Sequence, residues 1–238
     1  MKWTQAFTSS IGRKYVMAIT GLFLIIFLIV HAYVNVNVLF VNGEENFNRA
    51  ARFMSSNILV RIMEFGLFAG FIIHIIQGYA LELKNRAARS NKYAINAPAK
   101  TSTWYSRSMA LLGTLILLFL IIHLSDFWVP SRFGHLEEAT YGNGTIIAHN
   151  LYAKMKDVFS KEWVVIVYVL GCFSLAWHLL HGFQSAFQTM GWKHRKYAGL
   201  IENTGIGFSI IVPLIFALMP VFMYFGWELP LGNLTLLF

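Results

Sequence analysis

The sequence predicts an all-α membrane protein with five transmembrane helices, and three observations lead there. Of 238 residues, 57% are hydrophobic and 13% are charged, whereas charged residues make up about a quarter of an ordinary soluble chain. The apolar residues gather in five runs, each as long as the roughly 20 residues a helix needs to cross the hydrocarbon layer. The runs lack the alternation of barrel strands, and open sheet edges cannot face lipid, which leaves the helix.

The first run, 15–40, follows "MKWTQAFTSSIGRKYVMAITG", a stretch too aromatic and too long before its apolar part to resemble a cleavable signal; it is expected to stay as an anchor. The second, 58–82, contains "LFAGFIIHIIQGYALELKNR" with His74 in its middle, and the third covers 104–129. The long connection 130–161 includes "TIIAHNLYAKMKDVF", whose apolar residues at helical spacing beside basic ones read as a short interfacial helix, with an ordered loop as the alternative. The fourth run is 162–190. The fifth, 206–227, holds Pro213 and Pro220, which membrane helices tolerate, and a bend is expected there. No repeat, low-complexity tract or second domain interrupts this order, so residues 1–238 read as one domain.

The formal net charge of +8 does not point to nucleic acid, because the basic residues sit between apolar runs rather than on a solvated face. They do orient the chain. With the N-terminus inside, twelve Lys and Arg fall on the inner side, among them Lys2, Arg89, Lys92 and Lys100, and seven on the outer, which puts the N-terminus in the cytoplasm. Cys172, the single cysteine, lies in an apolar run and reads as a small buried hydrophobe.

His31, His74, His123 and His178 each fall in a different one of the first four runs. Ionisable groups inside a membrane are costly and usually functional. Their spacing from the flanking basic residues sorts them by depth. His31 lies 17 residues beyond Lys14 and His123 16 beyond Arg107, toward the outer side; His74 and His178 lie at mid-depth or further in. At about 1.5 Å per residue the two depths differ by on the order of 10 Å. In an up-down-up-down bundle of four helices, runs 1 and 3 face each other diagonally, as do runs 2 and 4. Imidazoles can then meet in pairs across the axis, which is the arrangement a haem needs. Zinc ligands would instead converge on one point. Gly66, Gly70, His74 and Gly78 share one face, as do Gly171, Ser174, His178, Gly182 and Ser185. Such stripes serve close helix packing or a flat cofactor, and a histidine centred in each favours the cofactor. His181 lies off its stripe and ranks behind His178, while His135, His149 and His194 read as surface residues.

"IVHAYVN", "FIIHIIQGY", "LIIHLSDFW" and "SLAWHLLHGFQSAF", with the opening "SSIGRKYVMAITG", resemble the single-chain dihaem cytochrome b subunit of succinate dehydrogenases and fumarate reductases, the b558 type. The likeness covers nearly the whole chain. It implies a multi-pass anchor in the bacterial inner membrane that binds two b haems and a quinone, usually menaquinone, and docks a flavoprotein (FAD) subunit and an iron-sulfur subunit on the cytoplasmic face. By the same resemblance His74 and His178 hold the haem nearer the iron-sulfur subunit, and His31 with His123 the distal one. Some members carry a glutamate two residues before the fourth-run ligand, thought to conduct protons; here that position is Ala176, which sets this chain apart.

Quinone chemistry needs proton-handling groups, and Glu64, Asp126 and Asn35 lie toward the distal haem, with Glu64 favoured as the deepest; a pair with Arg61 is its alternative. Haem propionates call for cations, and Arg13, Lys14, Lys84, Arg107 and Lys193 are the candidates, unless they serve orientation alone. The chain has neither a glycine-rich nucleotide turn nor cluster cysteines, so succinate chemistry would belong to other subunits. Two other readings remain: the cytochrome b anchor of another quinone-linked dehydrogenase, and a histidine-relay proton-coupled transporter.

Overall fold

The computed structural model describes residues 9–87, 107–142, 144 and 146–230. Lys2, Arg89, Lys92 and Lys100 of the charge count, and the opening of the third run at 104–106, lie outside the described residues.

Among the described residues five helices are long and apolar enough to cross a membrane, as the runs predict, and these residues are all-α apart from one small hairpin. Helix α1 (Ser10–Asn35) is extended by a 3-10 turn at Val36–Leu39, and α2 (Gly43–Ser56) follows it. The entry to α2 is tight. Asn42 has φ 59, and a Cβ on Gly43 would sit 1.9 Å from the Asn37 carbonyl oxygen, so only glycine fits that approach. Helix α3 (Ile58–Ala87) starts where Asn57 Oδ1 accepts the Leu59 and Val60 amides, and it ends with Lys84 and Arg86 in its last turn, where cations complement the helix dipole.

Helix α4 (Met109–His123) runs into a π turn at Leu124–Trp128 and then a short α5 (Val129–Phe133), so the third span reaches Phe133, four residues past the expected end at 129. After it, β1 (Glu138–Tyr141) pairs antiparallel with β2 (Ile146–His149), with Glu138 opposite His149. Only Leu151–Val158 of the expected interfacial segment is helical (α6). The β-branched Ile146 and Ile147 before it take the strand, where their side chains fit a pleated surface. Helix α7 (Glu162–Thr189) is the fourth span. Helix α8 (Ala198–Phe225) begins eight residues before the expected 206, because the polar turn holding Glu202 and Asn203 joins the helix although it adds nothing to the apolar run; Pro213 and Pro220 lie inside it without ending it.

Large apolar side chains face outward along these helices, among them Ile19, Ile26, Ile62, Phe65, Ile72, Ile76, Ile210 and Leu214. A water-facing surface of that kind is untenable, whereas lipid accepts it. Of α3 only Gly70 is buried.

The chain divides into two compact units that draw on the same long helices. One comprises Met1–Phe27, Gly66–Leu115 and Ser174–Ile210; the other Leu28–Phe65, Ile116–Phe173 and Ile211–Phe238. The second unit holds a packed core of Val34, Val38, Phe47, Ala50, Val158, Phe159, Val164, Tyr168 and Met219. It is cross-linked by a polar network around Asn48, which is 0% exposed. Asn48 Nδ2 donates to the Tyr141 hydroxyl at 2.7 Å and to Asn150 Oδ1 at 3.0 Å, while its Oδ1 accepts the Tyr152 amide at 3.1 Å. The Tyr141 hydroxyl in turn donates to Glu44 at 3.1 Å. Burial pushes that hydroxyl above its ordinary pKa; the bond from Asn48 works against the rise, and the Glu44 carboxylate adds to it. A parallel bridge between Phe40 and Leu229 ties the residues after α8 to the turn after α1.

Candidate functional site

In the first unit, α3 and α7 bring His74 and His178 together with ring centroids 6.2 Å apart and planes at 63°. Each ring lies beside bare backbone of another span. A Cβ on Gly21 would be 3.5 Å from His74 Cε1, and one on Gly113 would be 3.8 Å from His178 Cε1. Thr20 Oγ1 lies 3.1 Å from His74 Nδ1. The same hydroxyl spends its one proton on the Val16 carbonyl at 2.8 Å, so toward the ring it accepts. That arrangement suits the tautomer protonated at Nδ1, the one whose Nε2 lone pair is free for a metal.

In the second unit, α1 and α4 bring His31 and His123 together with centroids 5.8 Å apart and planes at 84°. His123 sits among aromatic rings, with Phe119 stacked at 5.6 Å, Phe127 at 5.4 Å and Tyr168 at 6.0 Å, and Phe216 of α8 lies 5.5 Å from His31. Asn35 Nδ2 donates to the His31 carbonyl at 2.8 Å and approaches the ring Nδ1 only at 3.4 Å, so its amide chiefly closes the helix end. His123 Nδ1 and His178 Nδ1 are buried without a hydrogen-bond partner.

A metal bound by two imidazoles at about 2 Å each sets their centroids about 6 Å apart, since a ring centre lies about 1 Å behind its nitrogen. Both pairs have that spacing. Among the described residues no three His, Cys, Asp or Glu side chains converge on one point. Two imidazoles leave the rest of a metal's coordination to be filled by something other than side chains, which a porphyrin would supply. The residues present fit haem.

The small-residue stripes divide. Gly70 lies against Phe23, Gly78 against Met17 and Gly171 against Phe119, the contacts of close helix packing. Beside Gly66 and Gly182 a Cβ would meet nothing within 4 Å among the described residues. His178, and not His181, is the ring opposite His74. His135, His149 and His194 are exposed, and Cys172 is buried and free.

Glu64 has more partners than the sequence indicated. Its carboxylate takes the Trp128 indole N–H at 2.6 Å and the Arg132 guanidinium at 2.7 and 3.1 Å, with Arg61 further off at 3.8 Å. The indole N–H and the arginine fork between them occupy both oxygens of this carboxylate. Asp126 Oδ2 accepts the Tyr168 hydroxyl at 2.7 Å. Of the propionate candidates, Lys84 donates to Ser10, Lys193 lies 3.8 Å from Glu202, Lys14 and Arg107 are exposed, and Arg13 is half-buried.

Thr20, Gly21, Gly113, Trp128, Arg132 and Tyr168 were not singled out by sequence. A threonine beside a glycine within an apolar run was the available signal for the first two. Contacts such as Arg132 to Glu64, 68 positions apart, leave no local trace. No protein-family model, curated protein or solved structure matches this chain.

Proposed function

We propose that this chain is a dihaem cytochrome b, with one haem b held by His74 and His178 and a second by His31 and His123. The observation that carries the reading is the ring spacing, 6.2 Å in one pair and 5.8 Å in the other, the separation that two imidazoles holding one metal would take. A haem held by these histidines would supply one-electron transfer. Around it the chain's side chains orient and insulate: Thr20 offers an acceptor to His74 Nδ1, and Phe119, Phe127 and Tyr168 keep water from His123.

The wider role follows from the resemblance of the four histidine segments. The chain is the membrane anchor of a succinate:quinone oxidoreductase, passing electrons between an iron-sulfur subunit and menaquinone, with the flavoprotein bound beyond that subunit. The first four spans form an up-down-up-down bundle in the bacterial inner membrane, with the N-terminus in the cytoplasm. Glu64, Asp126 and Asn35 border the quinone end. There the ion pair of Glu64 with Arg132 would fix a headgroup's surroundings, and Asp126, bonded to Tyr168, is the carboxylate nearer His123 in sequence.

Reduced-minus-oxidised spectra and extracted haem per chain test the reading. Two haems per chain are expected, falling to one in His74→Ala and in His31→Ala. A colourless, correctly inserted chain would overturn it. Co-purification with a flavoprotein tests the succinate assignment separately, since another dehydrogenase's anchor would bring different partners.

A further inference from the structure

Where α2, the hairpin and α5 meet, the second unit has a pocket of about 200 Å3 whose lining includes Arg52, Ser55, Ser131, Glu138, Ile147 and His149. Local structure brings them there. Arg52 and Ser55 are three residues apart on one face of α2, which packs against β2. Glu138 pairs with His149 across the hairpin and Ile147 lies two residues before His149, so these three share one face of the sheet. Tyr141, on the other face, reaches the Asn48 network.

The charged groups of this pocket have no ionic partner among the described residues. Arg49 pairs with Glu45, and Arg61 and Arg132 with Glu64, but no described carboxylate lies at ion-pair distance from Arg52 and no described cation at that distance from Glu138. A cation and an anion thus line one pocket without closing on each other. The Ser55 hydroxyl donates to the Arg52 carbonyl at 2.9 Å, and that of Ser131 to the Trp128 carbonyl at 2.8 Å. Each hydroxyl has one proton, so toward the pocket both oxygens only accept. The donors are the guanidinium and the His149 ring, which carries an N–H in either tautomer. Donors beside acceptors suit a ligand that joins an anion to a cationic N–H group by a short link.

The pocket's level says what presents such a ligand. Ser55 lies three residues before Ile58, where the second span begins, and Ser131 two before Phe133, where the third ends, so the pocket is within about 5 Å of the hydrocarbon boundary. Ile58 and Phe133 are each 75% exposed and Ile147 is 51% exposed, an apolar rim suited to acyl chains. Among the described residues no Phe, Tyr or Trp lines the pocket, so nothing there cages a quaternary ammonium.

We propose that this pocket binds the headgroup of a membrane phospholipid carrying a primary ammonium, a phosphoethanolamine ester. Arg52, with His149, takes the phosphate, and Glu138 with the two hydroxyl oxygens takes the ammonium. Neither histidine ring pair enters this inference.

Native mass spectrometry tests it, on the full-length chain titrated in detergent with phosphatidylethanolamine, phosphatidylcholine or phosphatidylglycerol of identical acyl chains. Wild type should bind its first phosphatidylethanolamine about tenfold more tightly than either of the other two. Arg52→Gln should weaken all three. Glu138→Gln should bring phosphatidylethanolamine down to the phosphatidylcholine level, and Glu138→Lys should put phosphatidylglycerol first. Both side chains are exposed, so an unchanged melting temperature is expected in each variant. Equal affinities in wild type, a wild-type lead for phosphatidylglycerol, or an ethanolamine preference that survives both Glu138 substitutions would overturn the proposal. Displacement of the lipid by free phosphoethanolamine at the same concentration would overturn it too, since the ligand would then be a soluble one.

Discussion

The two compact units hold the same motif, a pair of facing imidazoles, by different means. Around His31 and His123 the chain supplies a packed core, an aromatic surround and polar cross-links that reach from α2 to the hairpin and α6. Around His74 and His178, among the described residues, it supplies bare backbone at Gly21 and Gly113, one hydroxyl at Thr20 and an α3 that buries only Gly70. Apolar burial is the main stabilising term within a fold. Burial in the second unit is gathered into one cluster around its rings, whereas in the first it is spread over residues such as Ala18, Leu112, Leu179, Phe183 and Ala186, so order near the first pair is expected to respond more to the loss of a ring.

The largest effect expected from this contrast is on pigment and order together. His74→Ala and His31→Ala each remove one haem, but hydrogen exchange should rise much more in the first unit after His74→Ala than in the second after His31→Ala. Equal responses would erase the difference between the units.

Next in size is Glu64→Gln, which leaves Arg132 and Arg61 without a charge partner and should cost about 2 kcal/mol, read as a lower melting temperature with both haems retained. Asn48→Ala breaks the second unit's network at its centre and should cost about 1–2 kcal/mol by the same measurement. Tyr141→Phe, at about 1 kcal/mol, removes from it the hydroxyl that accepts from Asn48 and donates to Glu44. The Tyr141 hydroxyl titrates above its ordinary value, so its contribution is complete below a pH of about 10 and is lost as pH rises through the folded value. The gap between wild type and Tyr141→Phe should therefore close in strongly alkaline melts.

The smallest change is electronic. Thr20→Val keeps the shape but takes the acceptor from His74 Nδ1, so the His74–His178 haem should shift its midpoint potential upward by tens of millivolts while haem content stays at two. Asn35→Ala, whose amide chiefly serves a backbone carbonyl, should leave the other haem's potential nearly unmoved.

The four imidazoles were legible in sequence because a hydrocarbon layer makes each of them conspicuous, and their spacing from the flanking basic residues sorted them into twos. The five spans were legible for a related reason, since length and apolarity decide them. Their ends were less so. Glu202 and Asn203 extend α8 although they add nothing to its apolar run, and Ile146 with Ile147 takes a strand where the wider pattern favoured a helix. The π turn after His123 contains neither proline nor glycine to announce it. Glu64 was visible as a costly carboxylate, but the arginine that claims it arrives through folding alone, from the far end of another span.

One consequence lies in how the chain is shared out. Since the boundary between the units falls inside the long helices, at Phe27, Phe65, Leu115, Phe173 and Ile210, neither unit is a contiguous stretch that could be cut out and expressed. Chimeras that swap single spans with another such protein would replace part of both ring environments at once. Engineering one pair independently calls for scattered point changes within several helices.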